Sequence, residues 1–138
     1  MADVTITAAS VIPSSGARRI LKVIDTGVTV TAGQTVYVDA TSGKLKLADA
    51  DALATADALG IAENGGGAGQ SINVVYEDND FTAGGTLVVG ETYVVSTTAG
   101  GIAPIGDLAS GDFTTILGIA KSASKLNLRL FVGGTAKA

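Results

Sequence analysis

Two stretches of this chain echo one another, and that echo limits the possible folds more than any single motif. Gly33-Gln34-Thr35-Val36-Tyr37-Val38 returns 57 positions on as Gly90-Glu91-Thr92-Tyr93-Val94-Val95, and the Thr41-Ser42-Gly43 turn returns at the same offset as Thr98-Ala99-Gly100. Leu59-Gly60-Ile61-Ala62 returns 58 positions on as Leu117-Gly118-Ile119-Ala120. The apolar alternation of Ile72 to Tyr76 then returns as Leu126 to Leu130 after a shorter connection. Self-similarity of this kind, with period-two alternation, predicts two copies of one β unit, over about 29–77 and 86–134. The expected fold is all-β: a compact barrel or sandwich of short antiparallel strands with little helix, since either closure removes exposed strand edges.

Glycine supports the same reading. There are 19 glycines and only 2 prolines among 138 residues. That would break helices repeatedly, whereas short strands joined by tight turns use glycine wherever φ is positive. The length suits one domain able to fold without staples. Residues 20–138 are expected to form it, preceded by an arm or edge strand over 1–19.

The chain has no cysteine and no histidine. Thiolate chemistry, disulfides, the commonest general base and the commonest metal ligands are therefore excluded. No catalytic residue, cofactor or metal site is expected. The first twenty residues lack the apolar core of a signal peptide, and no apolar run approaches the ~20 residues of a membrane span. Synthesis and folding in a cytoplasm are the expectation, with no membrane partner.

Taken in order, Asp3 to Ala9 alternates, with Val4, Ile6 and Ala8 on one side and Asp3, Thr5 and Thr7 on the other, as a half-buried strand does. Pro13-Ser14-Ser15-Gly16 separates it from the body, so it reads as an arm able to add a strand to a neighbouring sheet, or as an ordinary first strand. Arg18-Arg19 precedes the apolar run Ile20 to Ile24, closed by a turn at Asp25-Thr26-Gly27. Val28 to Val38 reads as a strand broken at Ala32-Gly33, and Ala40 to Lys44 as a hairpin turn before the alternating Lys44 to Leu47. Ala48 to Leu59 has helical composition but a thin apolar stripe, which predicts at most one helical turn within a loop. Its counterpart, Gly106 to Thr115, reads as loop.

Two stretches invite chemistry. The glycine-rich Glu63 to Ser71 lacks the lysine and the following helix that a phosphate loop needs, so a flexible hairpin loop is expected. Glu77-Asp78-Asn79-Asp80 offers oxygens to a hard cation but lacks the ligand spacing of a calcium loop; a turn held by Asx hydrogen bonds is expected. Tyr37, Tyr76, Tyr93 and Phe131 fall in predicted strands and are expected in the core, which leaves little aromatic surface for a sugar platform.

Net charge is −4, unevenly distributed. Residues 1–48 carry five basic residues and three acids, Asp49 to Asp112 carry ten acids and no base, and Lys121, Lys125, Arg129 and Lys137 follow with no acid. A polarised chain suggests an oriented docking body, because complementary fields orient association. So acidic a chain, poor in aromatic stacking platforms, is not expected to bind nucleic acid.

The run Gly90-Glu91-Thr92-Tyr93-Val94-Val95-Ser96-Thr97-Thr98-Ala99-Gly100-Gly101-Ile102-Ala103-Pro104, then a loop, Thr115-Ile116-Leu117-Gly118-Ile119-Ala120-Lys121-Ser122-Ala123 and a closing strand, resembles the β modules of tailed-bacteriophage virion proteins. It is most similar to the small capsid decoration, or cement, proteins. The resemblance covers roughly Thr29 to Val132. It implies a non-enzymatic structural protein that binds the outside of a capsid at symmetry-related sites, with the major capsid protein as partner, trimeric or dimeric self-association, and residence on the virion after synthesis in the bacterial host. Position and charge nominate Val4, Thr5, Ile6, Thr7, Arg18, Arg19, Lys121, Lys125 and Arg129 as the docking surface. Modules of this kind also occur in phage head and tail fibres, which makes a receptor- or glycan-binding module the alternative.

Overall fold

The computed structural model describes residues 3–21 and 25–138; of the apolar run predicted over Ile20 to Ile24, Lys22 to Ile24 lie outside the described residues. The chain is all-β and antiparallel. Its strands are β1 (Arg18–Ile20), β2 (Thr35–Val38), β3 (Leu45–Leu47), β4 (Ala58–Ala62), β5 (Val74–Thr82), β6 (Thr92–Val95), β7 (Ile102–Pro104), β8 (Phe113–Ala120) and β9 (Lys125–Ala136). Among the described residues helix is confined to one turn, α1 (Leu53–Ala56), and two 3-10 turns at Ala8–Ser10 and Ile105–Asp107. None is long and apolar enough to cross a membrane.

The strands form one curled half-barrel sheet in the order β3-β2-β4-β5-β9-β8-β6-β7, with β1 added on β5. Strand β5 is the junction. Val75 lies between Ile61 and Arg19, and Glu77 lies between Arg129 and Arg18. Strands β4 and β9 therefore follow one another along one edge of β5, while β1 holds the other.

On either side of this junction the pairings correspond. Thr35 faces Ile61 and Val36 faces Gly60, with an irregularity after Val36; Thr92 faces Ile119 and Tyr93 faces Gly118, with an irregularity after Tyr93. Val36, Tyr37 and Val38 meet Leu47, Lys46 and Leu45 as Tyr93, Val94 and Val95 meet Pro104, Ala103 and Ile102. The glycine in each Leu-Gly-Ile-Ala run sits at the irregularity for a steric reason. A Cβ on Gly60 would stand 2.3 Å from the Val75 carbonyl oxygen, and one on Gly118 would stand 2.0 Å from that of Asn127. Only a residue without a side chain lets the neighbouring backbone come so close.

The main core joins both sides of the junction. Ala58, Ile61 and Val75 pack with Phe81, Leu87, Tyr93, Val95, Ile102, Leu117, Leu126 and Leu128. A smaller core of Val30, Val36, Leu45, Ala62, Ile72 and Val74 fills the space under the loops flanking β2 and β5. Those loops are pinned to one another: Val30 and Gly66 exchange both backbone hydrogen bonds at 2.9 Å, and the Thr26 hydroxyl donates to the Gly67 carbonyl at 2.8 Å. The glycine-rich Glu63 to Ser71 segment thus joins two antiparallel strands as expected, strapped down over a core.

Three expectations need correction. Glu77 to Asp80 is no turn but the middle of β5 (Val74–Thr82), although its register shifts between Asp78 and Phe81, where the expected Asx hydrogen bond from the Asp80 N–H to Asp78 is present. The strand tolerates four polar residues because each acid has a partner, as set out below. Asp3 to Ala9 forms no strand: residues 3–7 join no ladder and are held by isolated backbone hydrogen bonds, and Ala8–Ser10 closes a 3-10 turn. Of the four aromatics expected in the core only Tyr93 is fully buried, while Tyr37 is half-buried and Tyr76 and Phe131 are exposed, Phe131 at 65%.

Candidate docking surface

The amino-terminal segment lies on the body as a strap. The Val4 N–H donates to the Ile102 carbonyl and the Thr7 N–H to the Gly84 carbonyl, both at 2.8 Å. The Ser96 hydroxyl donates to the Asp3 carboxylate at 2.8 Å. Val4 and Ile6 are half-buried against the main core, whereas Thr5 and Thr7 are exposed. The strap's bed is made of glycine. A Cβ on Gly33 would come within 2.5 Å of Ile6 Cγ2, one on Gly85 within 2.5 Å of the Thr5 carbonyl oxygen, and one on Gly84 within 2.8 Å of that of Thr7. Glycine at these positions therefore serves close packing as well as turning. The alternation of the segment was legible in the sequence; the bed was not, because no local pattern marks a glycine that a distant side chain will press against.

Beyond the strap, Ile12 pairs with Thr82 and β1 with Val74 to Glu77, so residues 12–20 run along the free edge of β5. Asp78 anchors this run. Its carboxylate, 1% exposed, accepts from the Ser14 N–H at 2.8 Å, from the Ser14 hydroxyl, and from the Asp80 N–H at 3.1 Å. Burying a carboxylate is tolerable when several donors converge on it.

The structure gathers four of the five nominated basic residues around the Glu77 to Thr82 half of β5. Arg18 and Arg129 share Glu77, at 3.0 and 2.6 Å, and Arg129 also donates to Asn79 at 2.7 Å. Lys121 pairs with Asp80 at 2.7 Å, and Lys125, exposed, stands opposite Thr82. The Lys121 ammonium, hydrogen-bonded to Asp80, holds that carboxyl below its ordinary value, with Lys125 contributing from nearby. Arg19 is separate and binds Glu63 at 2.7 Å, whose other oxygen accepts from Asn73 at 3.0 Å. The charge blocks that stand apart in the sequence are thus folded against one another by the β1–β5 and β5–β9 pairings. Around β5 the surface is a mosaic of both signs in place of a single-signed patch. Sequence order could not reveal this, because strand neighbours 40 to 60 positions apart set it.

Other features bear on chemistry. An apolar groove of about 470 Å³, lined by Ile20, Leu59, Tyr76 and Leu130 with the Glu77–Arg129 pair at its rim, opens where β4 and β9 part along β5. Among the described residues no three acids gather in a way that could hold a metal ion. Asp39 closes the β2–β3 hairpin, accepting from Ser42 at 2.8 Å and pairing with Lys46 at 3.2 Å; the Ser42 hydrogen bond, then Lys46, lowers its carboxyl below the ordinary range.

No protein-family model matches this chain, and no curated protein matches it either.

Proposed function

We propose that this protein is a structural virion component that binds the outside of a phage capsid at symmetry-related sites and stabilises the shell without chemistry. The observation that carries the reading is the matched pair of β modules, each locked at its Leu-Gly-Ile-Ala glycine by a backbone contact no other residue permits. These are the runs on which the resemblance to decoration proteins rests, and we read the two modules as copies of one unit. A body that binds only the assembled lattice stabilises it by mass action, and many weak contacts act in parallel. The partner is the major capsid protein, and neither nucleic acid nor membrane is needed.

The docking surface we favour is the outward side of the strap, Thr5 and Thr7, with the exposed arginines and lysines beside β5. Val4 and Ile6 instead hold the strap to the body. Arg18, with 69% of its side chain exposed, and Lys125 are the charges best placed to meet an acidic capsid face.

Co-sedimentation with purified capsids tests this reading. The wild-type protein is expected to saturate at a fixed number of copies per capsid, and Thr5→Glu/Thr7→Glu and Arg18→Glu/Lys125→Glu are expected to lower occupancy while melting like wild type. Failure to sediment with the capsid would reject the reading. Retention of a fibre or of host-cell glycans in its place would favour the receptor-binding alternative, for which the open groove beside Tyr76 is the one supporting feature.

A further inference from the structure

Among the described residues the fold covers several of its strand edges with its own chain. The outer edge of β3 is paired by the Asp25 to Gly27 loop: the Leu45 N–H donates to the Asp25 carbonyl at 2.9 Å, and the Gly27 N–H to the Leu45 carbonyl at 2.7 Å. The outer edge of β7 receives the strap through Val4, and the free edge of β5 receives residues 12–20. Strand β1 is itself an edge, but it is three residues long and two of them are arginine, which discourages pairing.

Strand β9 is different. Along one side β8 accompanies it to Ala136, while along the other β5 stops at Arg129. From Leu130 to Ala136 that second edge has no backbone partner among the described residues, and residues 131–136 are all exposed. The sequence there, Leu-Phe-Val-Gly-Gly-Thr-Ala, contains no charge and no proline, the usual guards of an open edge. A bulge at Gly133-Gly134, where Val132 to Ala136 spans only Thr115 to Phe113 on β8, twists the strand end without adding either. The flanking charges are engaged elsewhere, Arg129 on Glu77 and Asn79, and the Lys137 ammonium on the Leu108 carbonyl at 2.7 Å.

We propose that the free edge of β9, Leu130 to Ala136, pairs antiparallel with the same edge of a second copy, giving a two-fold dimer. A second copy is the fitting occupant for two reasons. An uncharged antiparallel edge is complementary to itself through a two-fold axis, with unpaired N–H and C=O groups on both sides. A head-to-tail assembly by strand addition would need a different free edge to receive β9, and in the described residues the outer edges of β3, β5 and β7 are covered and that of β1 is guarded by arginine. Phe131 and Val132, exposed at 65% and 38%, supply cross-strand side chains. This inference stands on strand pairing alone and does not depend on what the protein decorates.

The test is light scattering and sedimentation of the full chain across a concentration series, together with amide exchange. Wild type is expected to approach twice the 13.6 kDa of one chain. Amide protection over Leu130 to Ala136 is expected to rise with concentration while that of β4 stays constant. Phe131→Lys and Val132→Lys, at positions already exposed, are expected to return the mass to one chain. A monomer throughout, a trimer, or a dimer unaffected by both substitutions would overturn the proposal. If either variant fails to fold, the wild-type exchange profile decides alone, and protection over Leu130 to Ala136 that ignores concentration counts against it.

Discussion

Strands β2–β5 and β6–β9 share a pairing scheme but send its corresponding side into different cores. Val36, Leu45 and Val74 enclose the smaller core beneath the loops, whereas Tyr93, Ile102 and Leu126, at corresponding places, lie in the main core. Ile61 is fully buried, and Ile119, its counterpart in the Leu-Gly-Ile-Ala run, is 52% exposed. One face of the second group thus packs on the other face of the first. Backbone geometry is set within each group, by the glycine that admits the neighbouring carbonyl; burial is set by whatever covers each face, which depends on the rest of the chain.

The sharpest break in the comparison is expected at the two isoleucines. Ile61→Ala should cost about 3 kcal/mol by opening a cavity in the main core, while Ile119→Ala should stay within about 0.5 kcal/mol of wild type. Equilibrium urea unfolding measures both. At the glycines the groups should instead behave alike. Gly60→Ala and Gly118→Ala each drive a methyl group into a carbonyl oxygen and should cost at least about 2–3 kcal/mol, Gly118→Ala with added backbone strain at φ +155°, whereas Gly106→Ala, with nothing within 4 Å of its Cβ, is the silent control.

A smaller difference separates the turn glycines Gly33 and Gly90, at φ +91° and +83°. Both substitutions by alanine incur a left-handed penalty of about 1–2 kcal/mol. Only Gly33→Ala also collides with Ile6, because the strap covers that turn and leaves the Gly90 turn bare. Limited proteolysis should therefore release the strap in Gly33→Ala and leave it protected in Gly90→Ala.

The smallest effect is electrostatic. Asp80, next to Lys121, and Asp39, beside Ser42 and Lys46, both have carboxyls lowered from 3.8. A lowered folded-state value means that stability is fully present above that ordinary value and is lost as pH falls through the lowered one. Lys121→Met should flatten the acid limb of the stability curve slightly and leave neutral pH almost unchanged, as expected for an exposed pair.

The all-β class, the hairpin at Ala40 to Lys44 and the single helical turn at Leu53–Ala56 were readable because glycine, alternation and turn residues act locally. The strand character of Glu77 to Asp80 was hidden, since four polar residues in a row read as a turn until Arg18, Arg129, Lys121 and Ser14 are seen to bind them. The candidate docking residues were half readable. Alternation separated Val4 and Ile6 from Thr5 and Thr7, yet which pair faced inward rested on glycines at 33, 84 and 85. The apparent charge polarity misled because sequence blocks of opposite sign become strand neighbours.

Electron cryomicroscopy of the native particle tests the functional account most directly. The account predicts density for this fold at symmetry-related sites on the outer shell, with Thr5, Thr7 and Arg18 turned toward the major capsid protein. A particle lacking such density, or carrying the fold only at the tip of a fibre, would contradict it.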